Sequence, residues 1–439
     1  MQLDRPYIIS WNLTYRCNLA CEHCYLDAGP KSLEKIQDDA FADREELNTQ
    51  QCFDVIDQIA DHAPEAITIL TGGEPLLRKD ILEIISYGHK KKLWVVVGTN
   101  GVLITEKLAQ ILKEKGVRGL ALSLDSLNDN EHDEFRKVKG SFNNTVRGAK
   151  VLNKVGLPFI IQTTINQSNK DQIKQIADYA YNELEAKVFN LYFLVQSGRG
   201  QFVSDIKASE YNQILQNLSS IQKDYSGKMM VNAKCAPHYV RHLYEHEPNS
   251  EFLKSFTDGA GTCPAGTHYM GIRPNGDVTP CPYLPVFGGN VTRTALTKIW
   301  KESPVFTQIR ERKTLGNRCG ECEFSSTCGG CRARAYGASA DYMNEDPLCD
   351  YEPGKFNSEI LKFKTGNEYG IPTDQKSIGK IQWEPEALER MQKIPAFVRG
   401  MVKRKMESFC LKKGLEIVTI NELNEMRSRM PSSKIFSSE

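Results

Sequence analysis

No stretch of the 439 residues stays apolar for the length of a membrane span. The chain has almost no excess of charge of either sign. Its 56 Lys and Arg stand against 55 Asp and Glu, for a formal charge of +1, so nothing suggests a nucleic-acid or membrane surface. The opening Met1-Gln-Leu-Asp4 lacks a basic region followed by an apolar core, so no export signal is read there. What the chain has in quantity is cysteine, thirteen in all. Without an export signal these point to metal binding in a reducing cytoplasm rather than to disulfides. They are also clustered. Cys17, Cys21 and Cys24 lie at the start, seven fall between Cys263 and Cys349, and Cys52, Cys235 and Cys410 stand alone.

The first group reads Cys17-Asn-Leu-Ala-Cys21-Glu-His-Cys24 and closely follows the apolar run Tyr7–Leu13. Three soft thiolates on one loop suit an iron–sulfur cluster, and three ligands for four irons leave one iron open, as a catalytic metal needs. A zinc site or buried structural cysteines are the competing reading. Up to about residue 195 apolar runs alternate with amphipathic stretches. The runs are Tyr7–Leu13, Ala66–Leu70, Leu93–Val97, Gly119–Leu124, Leu157–Thr164 and Val188–Val195. Such alternation predicts βα units and a parallel sheet, with functional residues at the carboxyl ends of the strands. Polar signals fall at those ends: Thr71-Gly72-Gly73-Glu74-Pro75, Gly98-Thr99-Asn100-Gly101, Ser123-Leu-Asp125-Ser126 and Thr163-Thr164-Ile165-Asn166.

The C-x3-C-x2-C loop, with an aromatic residue before its last cysteine, resembles the signature of the radical S-adenosylmethionine enzymes. The resemblance implies an α/β partial (βα)6 barrel and a [4Fe-4S] cluster with an open iron that chelates S-adenosyl-L-methionine. It also implies a 5′-deoxyadenosyl radical as the hydrogen-abstracting species. Gly72, Gly73 and Glu74 resemble the family's Gly-Gly-Glu-Pro motif, with Glu74 on the cofactor ammonium. Asn100 and Ser123 are the further cofactor candidates, Ser123 toward the ribose, and Arg136 resembles an arginine near the cofactor carboxylate. The later cysteines resemble the auxiliary-cluster extension called SPASM. Gly276-x4-Cys281 fits its pattern, and Cys319-x2-Cys322-x5-Cys328-x2-Cys331 departs from it in the last spacing, two residues instead of three. A tighter turn at Gly329-Gly330 could accommodate the difference. By position, Cys319, Cys322, Cys328 and Cys349 hold one auxiliary [4Fe-4S] cluster. Cys263, Cys281 and Cys331 hold part of another, which keeps an open iron or takes a fourth ligand such as Cys235. On spacing alone a pair of zinc knuckles stays open.

These resemblances divide the chain into a barrel at 1–200, a connector at 201–258, the auxiliary-cluster domain at 259–355, a linker at 356–380 and a C-terminal unit at 381–430. The last resembles the small helical domain of light-independent protochlorophyllide reductase. It starts at Trp383 and includes Ile394-Pro395-Ala-Phe397-Val398-Arg399. In the connector, Ala208–Asp224 reads as a helix, Lys228–Ala233 as a short strand, and His238, His242 and His246 at i, i+4 spacing as one helix face. The text from Cys328 to Cys349 looks most like the radical enzymes that alter carboxylate side chains of haem and d-type haem precursors. A tetrapyrrole substrate is therefore expected, with Arg199, Arg273, Arg332 and Arg334 as candidate cations at the barrel mouth. A peptide-maturing enzyme and a non-catalytic electron carrier are the alternatives. Reduced ferredoxin or flavodoxin is the expected donor, in the cytoplasm, with no nucleic-acid or membrane partner.

Overall fold

The computed structural model describes residues 5–30, 45–250, 253, 263–356, 381–392, 402–403, 406–407, 409–410 and 413–429. Six parallel strands follow the expected runs: β1 (Ile8–Asn12), β2 (Ile67–Thr71), β3 (Trp94–Thr99), β4 (Leu120–Ser123), β5 (Phe159–Ile165) and β6 (Val188–Phe193). They read as apolar runs because a parallel sheet is covered by helices along its outer face. The helices are α1 (Thr49–His62), α2 (Ile81–Lys90), α3 (Glu106–Glu114), α4 (Asp129–Arg136), α5 (Ser141–Val155) and α6 (Ile173–Asn182). Their starts are chemically marked: Asn48 and Gln51 close a capping box on α1, and the Thr105 hydroxyl accepts from Leu108 N on α3.

The sheet runs further than the six strands. The connector supplies α7 (Ala208–Asp224), then β7 (Met230–Lys234), parallel to β6, and then α8 (His238–His246). The cysteine-rich segment supplies β8 (Tyr269–Ile272), β9 (Asp277–Thr279) and β10 (Gly289–Asn290). β8 pairs in parallel with β1, and β8 and β9 form an antiparallel hairpin around Asn275-Gly276. One ten-stranded sheet results, in the order β10-β9-β8-β1-β2-β3-β4-β5-β6-β7.

Alternation along the strands separates two faces. Ile161, Phe189, Leu191, Phe193 and Val231 point outward into the main core, where Phe193 meets Tyr211 of α7 edge-on at 4.9 Å. The inner face is polar. Ser123, Gln162, Asn190 and Asn232 lie in register across β4 to β7, and Thr164, Tyr192 and Lys234 form the next layer toward the carboxyl ends. The sheet curls around this face, because Tyr283, just after β9, lies 6.4 Å from Tyr192 on β6.

In the C-terminal unit two short parallel strands, Gln382–Trp383 and Ile417–Val418, accompany the helices, so the unit is not purely helical. Ile381, Met406, Cys410 and Val418 form its small core, and Trp383 Nε1 donates to Glu407 Oε1 at 2.9 Å. The Ile394–Arg399 motif and the linker from residue 357 lie outside the described residues. Among the described residues no helix is long and apolar enough to cross a membrane.

Candidate active site and thiol centres

The loop after β1 carries Cys17, Cys21 and Cys24 and is held from three sides. From β2, Gly73 N donates to Thr14 O at 2.7 Å and Glu74 N to Arg16 O at 2.8 Å, so the Gly-Gly-Glu turn lies directly on the backbone before Cys17. A Cβ on Gly73 would stand 2.2 Å from Arg16 O, and Gly72 adopts φ +141°. From α4, the Phe135 and Arg136 carbonyls accept from Glu22 N and Ala20 N, and the Phe135 ring stacks on His23 at 4.6 Å. From the turn after β6, Arg199 donates to Cys21 O at 2.9 Å and Ala28 O at 2.8 Å, and pairs with Asp27 at 2.6 Å. This places Arg199 as a clamp on the loop.

The three sulfurs fit an iron–sulfur cluster chemically. Leu19 N donates to Cys17 Sγ at 3.4 Å, Ala28 N to Cys24 Sγ at 3.3 Å and Arg136 Nη1 to Cys21 Sγ at 3.5 Å. Such donors favour thiolates and tune the metal they bind. Burial pushes the Cys17 thiol up to about 12, so iron ligation is what would remove its proton.

Glu74 is completely buried. Its carboxylate accepts from Leu76 N at 3.1 Å, Asn100 N at 2.9 Å and the Thr99 hydroxyl at 2.9 Å. Burial raises it to about 7, against the lowering pull of those donors. Asn100 joins Glu74 to the loop, since its Nδ2 donates to Asn18 Oδ1 at 2.8 Å and reaches toward Cys17 Sγ at 4.0 Å. Ser123 stands on the inner face. Asp125, two residues further on, is committed: it accepts from Arg136 Nε at 2.8 Å and Thr164 N at 2.8 Å.

Eight of the ten other cysteines gather in two groups of four, leaving out Cys52 and Cys410. Cys319, Cys322, Cys328 and Cys349 line one cavity together with His238 and Tyr351. In the second group the Cys331 thiol meets those of Cys235 and Cys263, and Cys281 is raised by its burial first and then by the nearby Cys263 and Cys331. Gly329 and Gly330 both adopt left-handed angles, φ +65° and +61°, which only glycine takes readily. That double turn closes the shortened spacing and lets Cys328 and Cys331 face different groups. Sulfurs here also receive N–H donors, from Tyr283 N to Cys281 at 3.3 Å and Gly330 N to Cys328 at 3.5 Å.

Arg332 and Arg334 do not line the barrel mouth. Arg332 is fully buried, donating to Tyr342 O at 2.8 Å and Asn344 O at 2.7 Å. Arg334 pairs with Asp346 at 2.9 Å and donates to Cys235 O at 2.8 Å, while Asp346 also accepts from Cys331 N at 2.6 Å. The pair thus fixes the second thiol group. Removing one partner of such a buried pair strands the other charge, so Arg334→Ala is expected to cost about 3–5 kcal/mol. Thermal melting together with iron content checks this. A variant that melts like the parent with full iron would return Arg334 to the list of substrate contacts. His238 and His242 are buried along α8, with His238 Nδ1 at 3.0 Å from the Tyr211 hydroxyl and His242 stacked on His246.

Three tyrosines that sequence reading passed over connect these centres. Tyr25, next to Cys24, donates to Asn12 Oδ1 at 2.7 Å and meets Tyr283 at 4.8 Å, and Tyr283 faces Tyr192. The signal that could have found this inner face is a polar period of two inside buried parallel strands: Gln162 and Thr164, Asn190 and Tyr192, Asn232 and Lys234.

Three family models match parts of the chain. They are the radical SAM superfamily over residues 11–180, an iron–sulfur cluster-binding domain (SPASM) over 263–323, and the proto-chlorophyllide reductase 57 kD subunit over 383–427. The AdoMet-dependent heme synthase of Methanosarcina barkeri is 37% identical over 360 residues, which is 80% of this chain and 98% of the relative. The Fe-coproporphyrin III synthase of the same organism is 28% identical over 365 residues, 79% of this chain and 88% of the relative. The crystal structure of Streptococcus suis SuiB bound to S-adenosylmethionine has a TM-score of 0.62 at 19% identity, covering 80% of this chain and 78% of the other, a likeness of fold.

Proposed function

Because the chain belongs to the radical S-adenosylmethionine enzymes with an iron–sulfur cluster-binding (SPASM) extension, we propose that it modifies a carboxylate-bearing side chain of a tetrapyrrole. What carries this reading is a run of tyrosines along the polar inner face of the sheet, from Tyr25 beside Cys24 to Tyr192 and Tyr283, in a chain 37% identical to a protein named as a heme synthase. Cys17, Cys21 and Cys24 would hold the radical cluster, and the two later groups would hold auxiliary clusters, Cys235 completing the second. When bound and reduced with S-adenosylmethionine present, the first would supply a 5′-deoxyadenosyl radical able to remove a hydrogen atom.

The protein's own part is binding and orientation. Glu74 takes the cofactor ammonium, its carboxylate fixed by Thr99 and Asn100. Ser123 lies toward the ribose. Arg136 acts on the cluster side, aimed at Cys21 by its pairing with Asp125. The Tyr25, Tyr192 and Tyr283 rings offer flat, hydroxyl-bearing surface to a planar substrate. The division of the chain at about residues 200, 258, 355 and 380, a ferredoxin or flavodoxin donor, and a cytoplasmic setting belong to the same proposal.

The test is anaerobic. The reconstituted, reduced protein is given S-adenosylmethionine with and without iron coproporphyrin and siroheme-derived rings, and 5′-deoxyadenosine is measured. Formation that rises with one ring is expected. Formation indifferent to every ring would redirect the search to peptides. None at all from fully loaded protein would leave an electron carrier.

A further inference from the structure

We propose that Lys234 anchors a carboxylate of the substrate on the polar inner face of the sheet, beside the second thiol group, an inference that rests on the tetrapyrrole reading above. Lys234 is the last residue of β7 and stands in register with Tyr192, on the inner face. It is partly buried, yet among the described residues its ammonium has no hydrogen-bond or ion-pair partner. An inward lysine with no protein counter-charge offers its positive charge to an anionic ligand.

Several other buried cations have partners: Arg136 has Asp125, Arg334 has Asp346, and Arg332 has the Tyr342 and Asn344 carbonyls. Lys234 has none among the described residues, and it stands on the inner face. Beside it there are neutral hydrogen-bonding groups, Tyr192, whose hydroxyl accepts from Gln162 at 3.2 Å, and Asn232, which donates to Asn190 at 3.0 Å; the thiol near it is that of Cys235.

Position makes the anchor useful. The next residue, Cys235, turns into the left-handed region at φ +57° and sends its sulfur to Cys331. A carboxylate held by Lys234 therefore lies beside the second thiol group. From Tyr192 the rings of Tyr283 and Tyr25 lead back to the radical loop at Cys24. A flat ring with several carboxylates would span that path, one acid on the lysine and a second side chain toward the radical.

The experiment uses the full chain with its clusters. Iron coproporphyrin III, and the same porphyrin with its propionates amidated, are titrated by absorbance into the parent, Lys234→Met and Lys234→Arg. For the acid, Lys234→Met is expected to weaken Kd by roughly 10- to 100-fold, as for a charge-assisted contact, while Lys234→Arg retains most of the affinity. For the amidated ring, parent and Lys234→Met are expected to bind alike, with iron content equal throughout. Equal binding of the acid by parent and Lys234→Met overturns the anchor and leaves the tetrapyrrole reading standing. Equal weakening for both porphyrins reduces Lys234 to a packing residue. A parent that binds neither ring overturns both readings.

Discussion

Replacing Gly73 with alanine is expected to lower 5′-deoxyadenosine formation by roughly 100-fold or more, the scale of a 1 Å displacement at a reacting centre. The added methyl would lie 2.2 Å from Arg16 O and 2.7 Å from Arg16 C, and both are backbone atoms that cannot step aside. Arg16 immediately precedes Cys17. The turn must therefore separate from the cluster loop, and the Gly73–Thr14 and Glu74–Arg16 hydrogen bonds are lost with it. The damage stays local, because the later thiol groups rest on other elements. Iron analysis should show the auxiliary complement retained while the radical-cluster signal is lost or shifted. Parental turnover in Gly73→Ala would show that the turn does not set the loop.

Glu74→Gln is expected to abolish saturable S-adenosylmethionine binding in the loaded protein. The amide removes the negative charge, and its NH2 group then faces Thr99 and Asn100 N–H, which are donors themselves. The parent carries a pH signature that the variant lacks. With Glu74 raised to about 7 by burial, the carboxylate becomes protonated below that pH, and affinity for an ammonium falls about tenfold per pH unit. The same shift has a stability consequence. The folded state holds this proton more tightly than the unfolded chain, so the cofactor-free protein loses stability from Glu74 as pH rises from the ordinary carboxyl range through about 7. Cofactor binding offsets that loss. Calorimetric titrations between pH 6 and 8 should show the slope in the parent. A flat profile would mean that the cofactor amine is held elsewhere.

Much of the barrel was legible because its strands are covered on their outer face and read as apolar runs. α4 was missed. Its sequence, Asp129–Arg136, is mostly charged and buries only His132, Phe135 and Arg136, so no apolar stripe announces it. The signal was the Asn128 cap, which accepts from Glu131 N. The cysteine groups were legible from spacing, and the double-glycine turn explains the departure from the extension's pattern. Arg332 and Arg334 were misplaced because sequence shows charge but not its partner, and Asp346 is a dozen residues away from Arg334. Lys234 and the tyrosines were invisible for the converse reason: isolated polar residues in a strand look incidental until register aligns them on one face.

The pairing of β8 with β1 also bears on how the chain comes to be folded. β1 carries the radical loop on its carboxyl end, and one of its two edges is covered only by a strand some 260 positions later. While the chain is being synthesised that edge stays bare, and long-range closure of this kind is slow. An N-terminal fragment ending after β7 would keep an open, apolar strand edge, the kind that recruits other chains into aggregates. Chaperone dependence and insolubility of truncated forms follow from this topology, whatever the state of the clusters.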